Sequence, residues 1–207
     1  MNTVNIGPYS INIHDNAGIN CSGGADSGIL LYILMKYSTS PLNIYSLASK
    51  EKLRSVSHSS ANVIAKCMDL TNTPVVFHHI SYVDSQNTET LYQQPKEAVA
   101  SGKIKILYSG LTQLPPEDVY LGFKDKLNDF IINWRTGKRD LYIENGKVYR
   151  PLANYNKQDI KNLYDILGLT DTLFPLTRSC ESLTQSTGHC GECWWCEERQ
   201  WAFGRLE

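Results

Sequence analysis

No stretch of this chain strings together the roughly 18 apolar residues that a bilayer-spanning helix requires, and its first residues lack the cationic and apolar blocks of a secretory leader. A soluble, cytoplasmic protein with no membrane partner is expected. Charge of one sign is missing too. Lys and Arg number 20 against 21 Asp and Glu, for a formal net charge of -1, so no overall basic field exists to hold nucleic acid, and only a local patch could do so. Cysteine is scarce along most of the chain: Cys21 and Cys67 stand alone in apolar surroundings, while the other four of six fall between Cys180 and Cys196. In a reducing compartment such crowding favours a metal over disulfides. Internal repeats and low-complexity tracts are absent as well, which excludes solenoids and arrays.

What is present is a chain of 207 residues, 42% hydrophobic, long enough to bury one sizeable core with a small appendage. Thr3 to Asn12 alternates weakly and could form a ribbon turning at Gly7-Pro8. Ala17 to Cys21 predicts a strand, Ser22-Gly23-Gly24 a turn, and Asp26 to Tyr37 a helix with Ile29, Leu30, Ile33 and Leu34 at helical spacing. The unit then repeats. Asn43 to Ala48 and Pro74 to Ile80 read as strands around a helix from Ser57 to Leu70; Thr88 to Ser101 reads as a helix interrupted at Pro95, and Lys105 to Gly110 as a fourth strand. Alternation of this kind predicts an α/β fold, a parallel sheet with helices on both faces and ligands at the C-terminal strand ends.

From Leu114 to Tyr149 the pattern weakens, and the segment of about 114–149 reads as an insertion near the site, ending in a hairpin around Asn145-Gly146. Asn156 then caps a helix whose stripe is Ile160, Leu163, Tyr164 and Leu167, with Gly168 past its end. The division expected is a main domain over 1–170 and a metal-binding segment over 171–207.

Two motifs carry chemistry. In the run from Cys21 to Ser27, two glycines and two hydroxyls lie between a buried strand and a helix start, where the backbone can turn its N–H groups toward one point and the helix dipole attracts an anion. No lysine follows the last glycine, as a Walker A loop needs, and the third glycine of a dinucleotide fingerprint is missing. An ordinary glycine-rich turn is the bland alternative.

The second motif is Cys180, Cys190, Cys193 and Cys196, spaced Cys-x9-Cys-x2-Cys-x2-Cys. Two short steps put three thiolates on one tight turn, and the longer loop returns Cys180 as a fourth ligand of a closed tetrahedral zinc site. An iron–sulfur cluster and buried free thiols are the alternatives. His189 could replace a thiolate, a surface histidine being its bland reading. Trp194, Trp195 and Trp201 are expected to cover the metal knuckle.

The first string resembles the Ser-Gly-Gly-x-Asp-Ser signature of the PP-loop, or N-type, ATP-pyrophosphatases. That resemblance implies ATP held by Ser22, Gly23, Gly24, Ala25, Asp26 and Ser27, with Asp26 near Mg²⁺. The stretch from Cys190 through Glu192, Cys193 and Cys196 to Arg199, preceded by Ser179-Cys180, resembles the C-terminus of 7-cyano-7-deazaguanine synthases of queuosine biosynthesis. Arg150-Pro151-Leu152 and the helix with Lys157, Asp159 and Ile160 look like the same family. It implies an adenylating ligase: ATP activates the carboxylate of 7-carboxy-7-deazaguanine or an analogue, ammonia forms the amide, and a second ATP drives dehydration. Asp26, Ser27 and Lys157 are then the expected catalytic residues, zinc the structural metal, and a homodimer an open arrangement. The family's Tyr-Pro-Asp-Cys loop is replaced by Leu111 to Asp118, and its loop after the second strand by Ser49 to Arg54.

Each has its plainer reading. Lys157 could be a solvated lysine, although its place in a helix first turn opposes the dipole and favours an anionic ligand. Lys50, Lys52 and Arg54 read as a solvated face, and His58, His78 and His79 as ordinary core or surface histidines. The alternatives in function are a tRNA- or base-modifying PP-loop enzyme such as a thiolase, and a catalytically silent zinc-stabilised partner or defence-system component.

Overall fold

Period-two alternation governs the first element: Tyr9, Ile11 and Ile13 are buried while Ser10 is exposed. This strand, β2 (Tyr9–Ile13), pairs antiparallel with β1 (Asn2–Ile6) as a separate two-stranded ribbon across Gly7-Pro8. The computed structural model describes residues 1–49, 56–73, 76–83, 93–127, 129–180 and 188–207. The charged run from Lys50 to Arg54, the predicted strand start at Pro74, the predicted helix start at Thr88 and most of the loop after Cys180 lie outside them.

The remaining strands are β3 (Ala17–Asn20), β4 (Leu42–Ser49), β5 (Val76–Val83), β6 (Ile106–Tyr108), β7 (Tyr142–Ile143) and β8 (Val148–Tyr149). They form one six-stranded sheet in the order β5-β4-β3-β6-β8-β7. All neighbours are parallel except the edge pair β7–β8. The hairpin at the end of the expected insertion therefore does not stand apart from the sheet: β8 continues it beside β6. The hairpin turns at Asn145-Gly146 as expected, with Ile143 paired to Val148 and left-handed φ values through Glu144, Asn145 and Gly146.

The pleat sorts side chains onto two faces. Ile44, Ile106, Tyr108 and Tyr149 share a core with α1 (Ala25–Tyr37), α2 (Val56–Thr71), α6 (Lys157–Ile166) and α7 (Trp194–Phe203). Tyr45, Leu107 and Val148 point the other way, toward Ala98 of α3 (Gln93–Ala100) and Ile104. The chain is thus an α/β protein with a mostly parallel sheet and helices on both faces. In α1 the buried set is wider than the predicted stripe, extending to Leu31, Tyr32 and Met35. A helix enclosed on all sides needs apolar residues on all sides. Pro95 does not interrupt α3. It lies in the first turn, where the missing N–H has no helical partner to lose.

Two short helices, α4 (Glu117–Tyr120) and α5 (Asp129–Arg135), follow β6, with a 3-10 turn (Leu121–Lys126) between them. The predicted cap of α6 forms as a capping box: Asn156 Oδ1 accepts from the N–H groups of Gln158 and Asp159, and Asp159 Oδ2 accepts from that of Asn156. Gly168 ends the helix with φ +69°. Among the described residues no helix is long and apolar enough to cross a membrane.

Candidate functional site

Strand order reverses between β3 and β6, whose chain connections leave in opposite directions, and such switch points open a crevice at the C-terminal strand ends. The glycine turn sits there. Gly23 has φ +79°, and a Cβ on it would lie 2.6 Å from the backbone nitrogen of Ser60 at the start of α2. Only glycine satisfies both the left-handed backbone and that approach. Gly24 plays a different part: it is the N-cap of α1 with ordinary φ −78°, no side chain caps the helix, and a Cβ there would meet nothing nearer than 3.4 Å. The first N–H groups of α1 are therefore left for an anion. Ser22 and Ser27 face each other at 3.2 Å between hydroxyls, and Ser27 also donates to the Gly24 carbonyl.

Chain from distant places walls the turn. The Arg178 N–H donates to the Gly23 carbonyl at 2.8 Å, and a Cβ on Gly24 would lie 3.6 Å from both the Arg178 carbonyl and Ser179 Oγ. Gly110, just after β6, comes so close that a Cβ would lie 3.1 Å from the Ser27 nitrogen. Tyr164 of α6 donates its hydroxyl proton to the Ala25 carbonyl at 2.9 Å.

Asp26 and Lys157 meet at this point. The Lys157 ammonium lies 2.6 Å from each Asp26 oxygen and 3.7 Å from Glu198 Oε2. Lys157 is only 2% exposed, which excludes the solvated reading, whereas Asp26 keeps 20% of its side chain accessible. Where the helix position suggested an anionic ligand, the anions that meet Lys157 are carboxylates of the chain itself. Glu198, fully buried, also binds Arg135, whose Nη2 lies 2.6 Å from Oε1. Arg135 further donates to the Thr112 carbonyl and hydroxyl and to the Gln113 carbonyl, and the Thr112 hydroxyl donates on to Asp26 at 3.4 Å. Two cations and two anions thus form one closed network between the glycine turn, α5, α6 and α7. Such enclosed charges are tolerated because each finds an opposite charge and hydrogen bonds.

Arg139 and Arg150 lie beside this network. Arg139 Nη1 donates to the Thr112 carbonyl and Arg150 Nη2 to that of Asp140, while buried Arg139 Nη2 and Arg150 Nε have no hydrogen-bond partner. Burial first, then repulsion from Arg135 and Arg150, draws the Arg139 guanidinium down to about 10.

The four cysteines come together as their spacing predicted, with all four Sγ atoms within 4.8 Å of one another. The separations are 3.5 Å for Cys193–Cys196, 3.9 Å for Cys190–Cys196 and 4.0 Å for Cys180–Cys193. Sulfurs about 2.3 Å from a tetrahedral zinc lie about 3.8 Å apart, so the donor set could hold that ion. Cys193 is the N-cap of α7, Cys196 lies in its first turn, and Gly191 has φ +76°. The N–H groups of Cys190 and Cys193 point at sulfurs, at 3.4 and 3.3 Å. Burial opposes ionisation of Cys190, but hydrogen bonds from the Glu192 and Cys193 backbone and neighbouring thiols outweigh it, and the thiol falls to about 6.

His189 is neither a surface residue nor one of the clustered donors: its side chain is 4% exposed, and burial, then Arg199 and Arg178, hold it down at about 4. Trp194 does not simply cover the sulfurs. It packs with Leu114 and Phe123 and lies under the Arg135 guanidinium, as Trp195 does, while Trp201 joins the main core. Arg199 is structural, donating to Thr177, Phe174 and Leu206 and stacking 3.8 Å over the Phe174 ring.

Cys21 and Cys67 stay away from this chemistry. Burial pushes the Cys21 thiol up to about 11 and that of Cys67 higher still, which suits core packing and not sulfur transfer. His78 and His79 bond to Ser46 and Asn43 on β4. Sequence reasoning missed Arg135, Glu198 and Thr112, because isolated charged and hydroxyl residues in short helices and loops read as solvent-facing. The one signal was compositional: Glu198 and Arg199 follow Cys196 on the helix that must also pack inward.

The fold and site define an α/β protein with a glycine turn and an uncapped helix start at its switch point, joined by buried charges to a four-thiol knuckle. The family model described as "Queuosine biosynthesis protein QueC" matches residues 117–207. That span holds Lys157, Glu198 and the four cysteines. Among solved structures, the NMN synthetase from Francisella tularensis is similar, at 15% identity over 93% of this chain and 78% of that one, with a TM-score of 0.47. No curated protein matches in sequence.

Proposed function

We propose that the protein is an ATP-dependent ligase of the PP-loop type, which adenylates a carboxylate and passes the acyl group to ammonia in the manner of 7-cyano-7-deazaguanine synthases. The observation that carries this reading is the meeting of three features: the uncapped start of α1, the partly accessible Asp26 on its first turn, and the buried Lys157 against it. The family match over residues 117–207 supports the same direction.

In this reading the amides of Ala25, Asp26 and Ser27 and the hydroxyls of Ser22 and Ser27 receive the β and γ phosphates of ATP, and the missing side chain of Gly24, where a Cβ would touch Ser22, Arg178 and Ser179, lets them approach. Mg²⁺ would draw on the accessible carboxylate of Asp26 and supply neutralising charge for the leaving pyrophosphate. An oxygen of the acceptor carboxylate attacks the α phosphorus, and the bond to the β phosphate breaks. Ammonia nitrogen then adds to the acyl carbon and AMP departs. A carboxylate oxygen leaves poorly whereas AMP leaves well, which is the purpose of the first step. Lys157 keeps positive charge behind Asp26 while negative charge builds on the departing group. A second ATP activates the amide oxygen in the same way for loss to the nitrile.

The acceptor proposed is 7-carboxy-7-deazaguanine or an analogue, read by the strand-end loop from Leu111 to Asp118. Residues 1–170 form the ATP-pyrophosphatase domain and 171–207 the zinc-binding segment, where four protein thiolates leave zinc no open position for water.

The test is incubation with ATP, Mg²⁺, ammonium and a panel of acids that includes 7-carboxy-7-deazaguanine. AMP released in step with an amide or nitrile of the expected mass supports the reading. AMP without a new carbon–nitrogen bond removes the ligase. No AMP with any acid leaves a zinc-stabilised protein that has lost the chemistry.

A further inference from the structure

We infer that Glu198 is a positioning residue for the phosphate-binding turn, holding the Lys157 ammonium in register with Asp26 from the helix that carries Cys196. The inference rests on the ATP reading above and adds to it a residue from the cysteine segment. An ammonium as enclosed as that of Lys157 needs counter-charge, and Asp26 alone is an insecure source. Asp26 is the one member of the network with substantial accessible surface, so a cation arriving with a polyphosphate competes with Lys157 for it. Glu198, fully buried and 3.7 Å from Lys157, supplies negative charge that no solute can reach. Lys157 therefore keeps a counter-charge and its place when Asp26 is engaged by another cation.

Arg135 does not require Glu198 for its own satisfaction to the same degree. It already donates to the Thr112 carbonyl, the Thr112 hydroxyl and the Gln113 carbonyl. Its two bonds to Glu198, Nη2 to Oε1 at 2.6 Å and Nη1 to Oε2 at 3.4 Å, instead fix the carboxylate's orientation, with Oε2 shared as the oxygen 3.7 Å from Lys157. The position of Glu198 is fixed along α7 as well. Cys193 and Cys196 pin the start of the helix to the thiol knuckle, and Arg199, the next residue, is tied to Thr177, Phe174 and Leu206. The knuckle thereby reaches Lys157 through the Glu198 side chain, besides the Arg178-Ser179 backbone that leads from the glycine turn to Cys180, and the Thr112 hydroxyl adds a neutral link from Arg135 to Asp26.

A double-mutant cycle tests this, with α,β-methylene-ATP and Mg²⁺ as the probe and calorimetry as the readout on wild type, Glu198→Gln, Lys157→Met and the double variant. Glutamine keeps the shape and one acceptor for Arg135, removes the charge and turns the other acceptor oxygen into a donor. The expected result is a loss of affinity of about tenfold from Glu198→Gln when Lys157 is present, and less than about twofold when it is methionine. Zinc content should be unchanged across the set. Equal losses in both backgrounds, no loss in either, or loss of zinc together with affinity would each overturn the positioning role. Should Glu198→Gln not fold, Arg135→Lys replaces it in the same cycle: dependence on Lys157 supports the inference, and additivity overturns it. Wild type that fails to bind the probe defeats the ATP reading itself, an outcome distinct from additivity in a protein that binds it.

Discussion

The glycine turn and the cysteine knuckle are built alike. Each is a tight turn with a left-handed glycine, Gly23 at φ +79° and Gly191 at φ +76°, that feeds a helix whose start no side chain caps. They differ in what lies at the helix start. At α7 it is the sulfurs of the chain itself, Cys193 at the N-cap and Cys196 in the first turn. At α1 the turn carries two glycines and two hydroxyls and leaves its amides for an anion from outside. The glycines differ accordingly: a Cβ on Gly23 would strike the Ser60 backbone at 2.6 Å, while one on Gly191 would meet nothing within 4 Å. A helix N-terminus is thus a general device, and the composition of the preceding turn decides whether it binds a ligand or closes on itself.

The largest effect should come from breaking the open turn at its charge. Asp26→Ala is expected to lower AMP formation by about 10³-fold with the far-UV circular dichroism spectrum nearly unchanged, because the turn rests on Gly23 and backbone bonds. Undiminished turnover would remove Asp26 from the phosphate and metal site.

Breaking the closed turn comes next. Cys193→Ser should reduce zinc from about one per chain to little and lower the melting temperature by about 10 °C. Metal analysis and a thermal melt decide it, and iron with sulfide in the wild type would replace zinc by a cluster.

The two glycines of the open turn sharpen the comparison further. Gly23→Ala should cost about 2–4 kcal/mol in denaturant unfolding, since both the backbone and the Ser60 contact oppose it. Gly24→Ala should change stability by less than about 0.5 kcal/mol yet weaken nucleotide binding by about tenfold. Gly24→Ala with unchanged ATP affinity would mean that phosphate does not pass over this residue.

The smallest effect is at Gly191, where only the left-handed backbone objects. Alanine there should cost about 1 kcal/mol and retain zinc. A loss as large as that at Gly23 would show that the two turns are not built as described.

Much of this was legible in the sequence because it is local. The Asn156 cap and the Gly168 stop depend on hydrogen bonds within a few residues, and the α/β order on periodicities of two and 3.6. The glycine turn and the cysteine spacing declare their chemistry because the backbone between their members is short and has few ways to run. Lys157 was half legible: its place in a helix first turn suggested an anionic ligand, whereas the anions it meets are carboxylates of the chain itself. The hairpin's membership of the main sheet was not legible, since two residues of β8 carry too little pattern to show which strand they join.

By itself the sequence determined most elements outside 114–149, their order, the glycine turn and the four-cysteine set, all of which rest on contacts between near neighbours. Only the tertiary structure decided that Asp26, Lys157, Glu198 and Arg135 form one cluster of paired charges, in which the Lys157–Asp26 bond alone joins residues 131 positions apart. The reason is physical: a charged residue reads as solvated until the fold removes the water, and only then must it find its opposite.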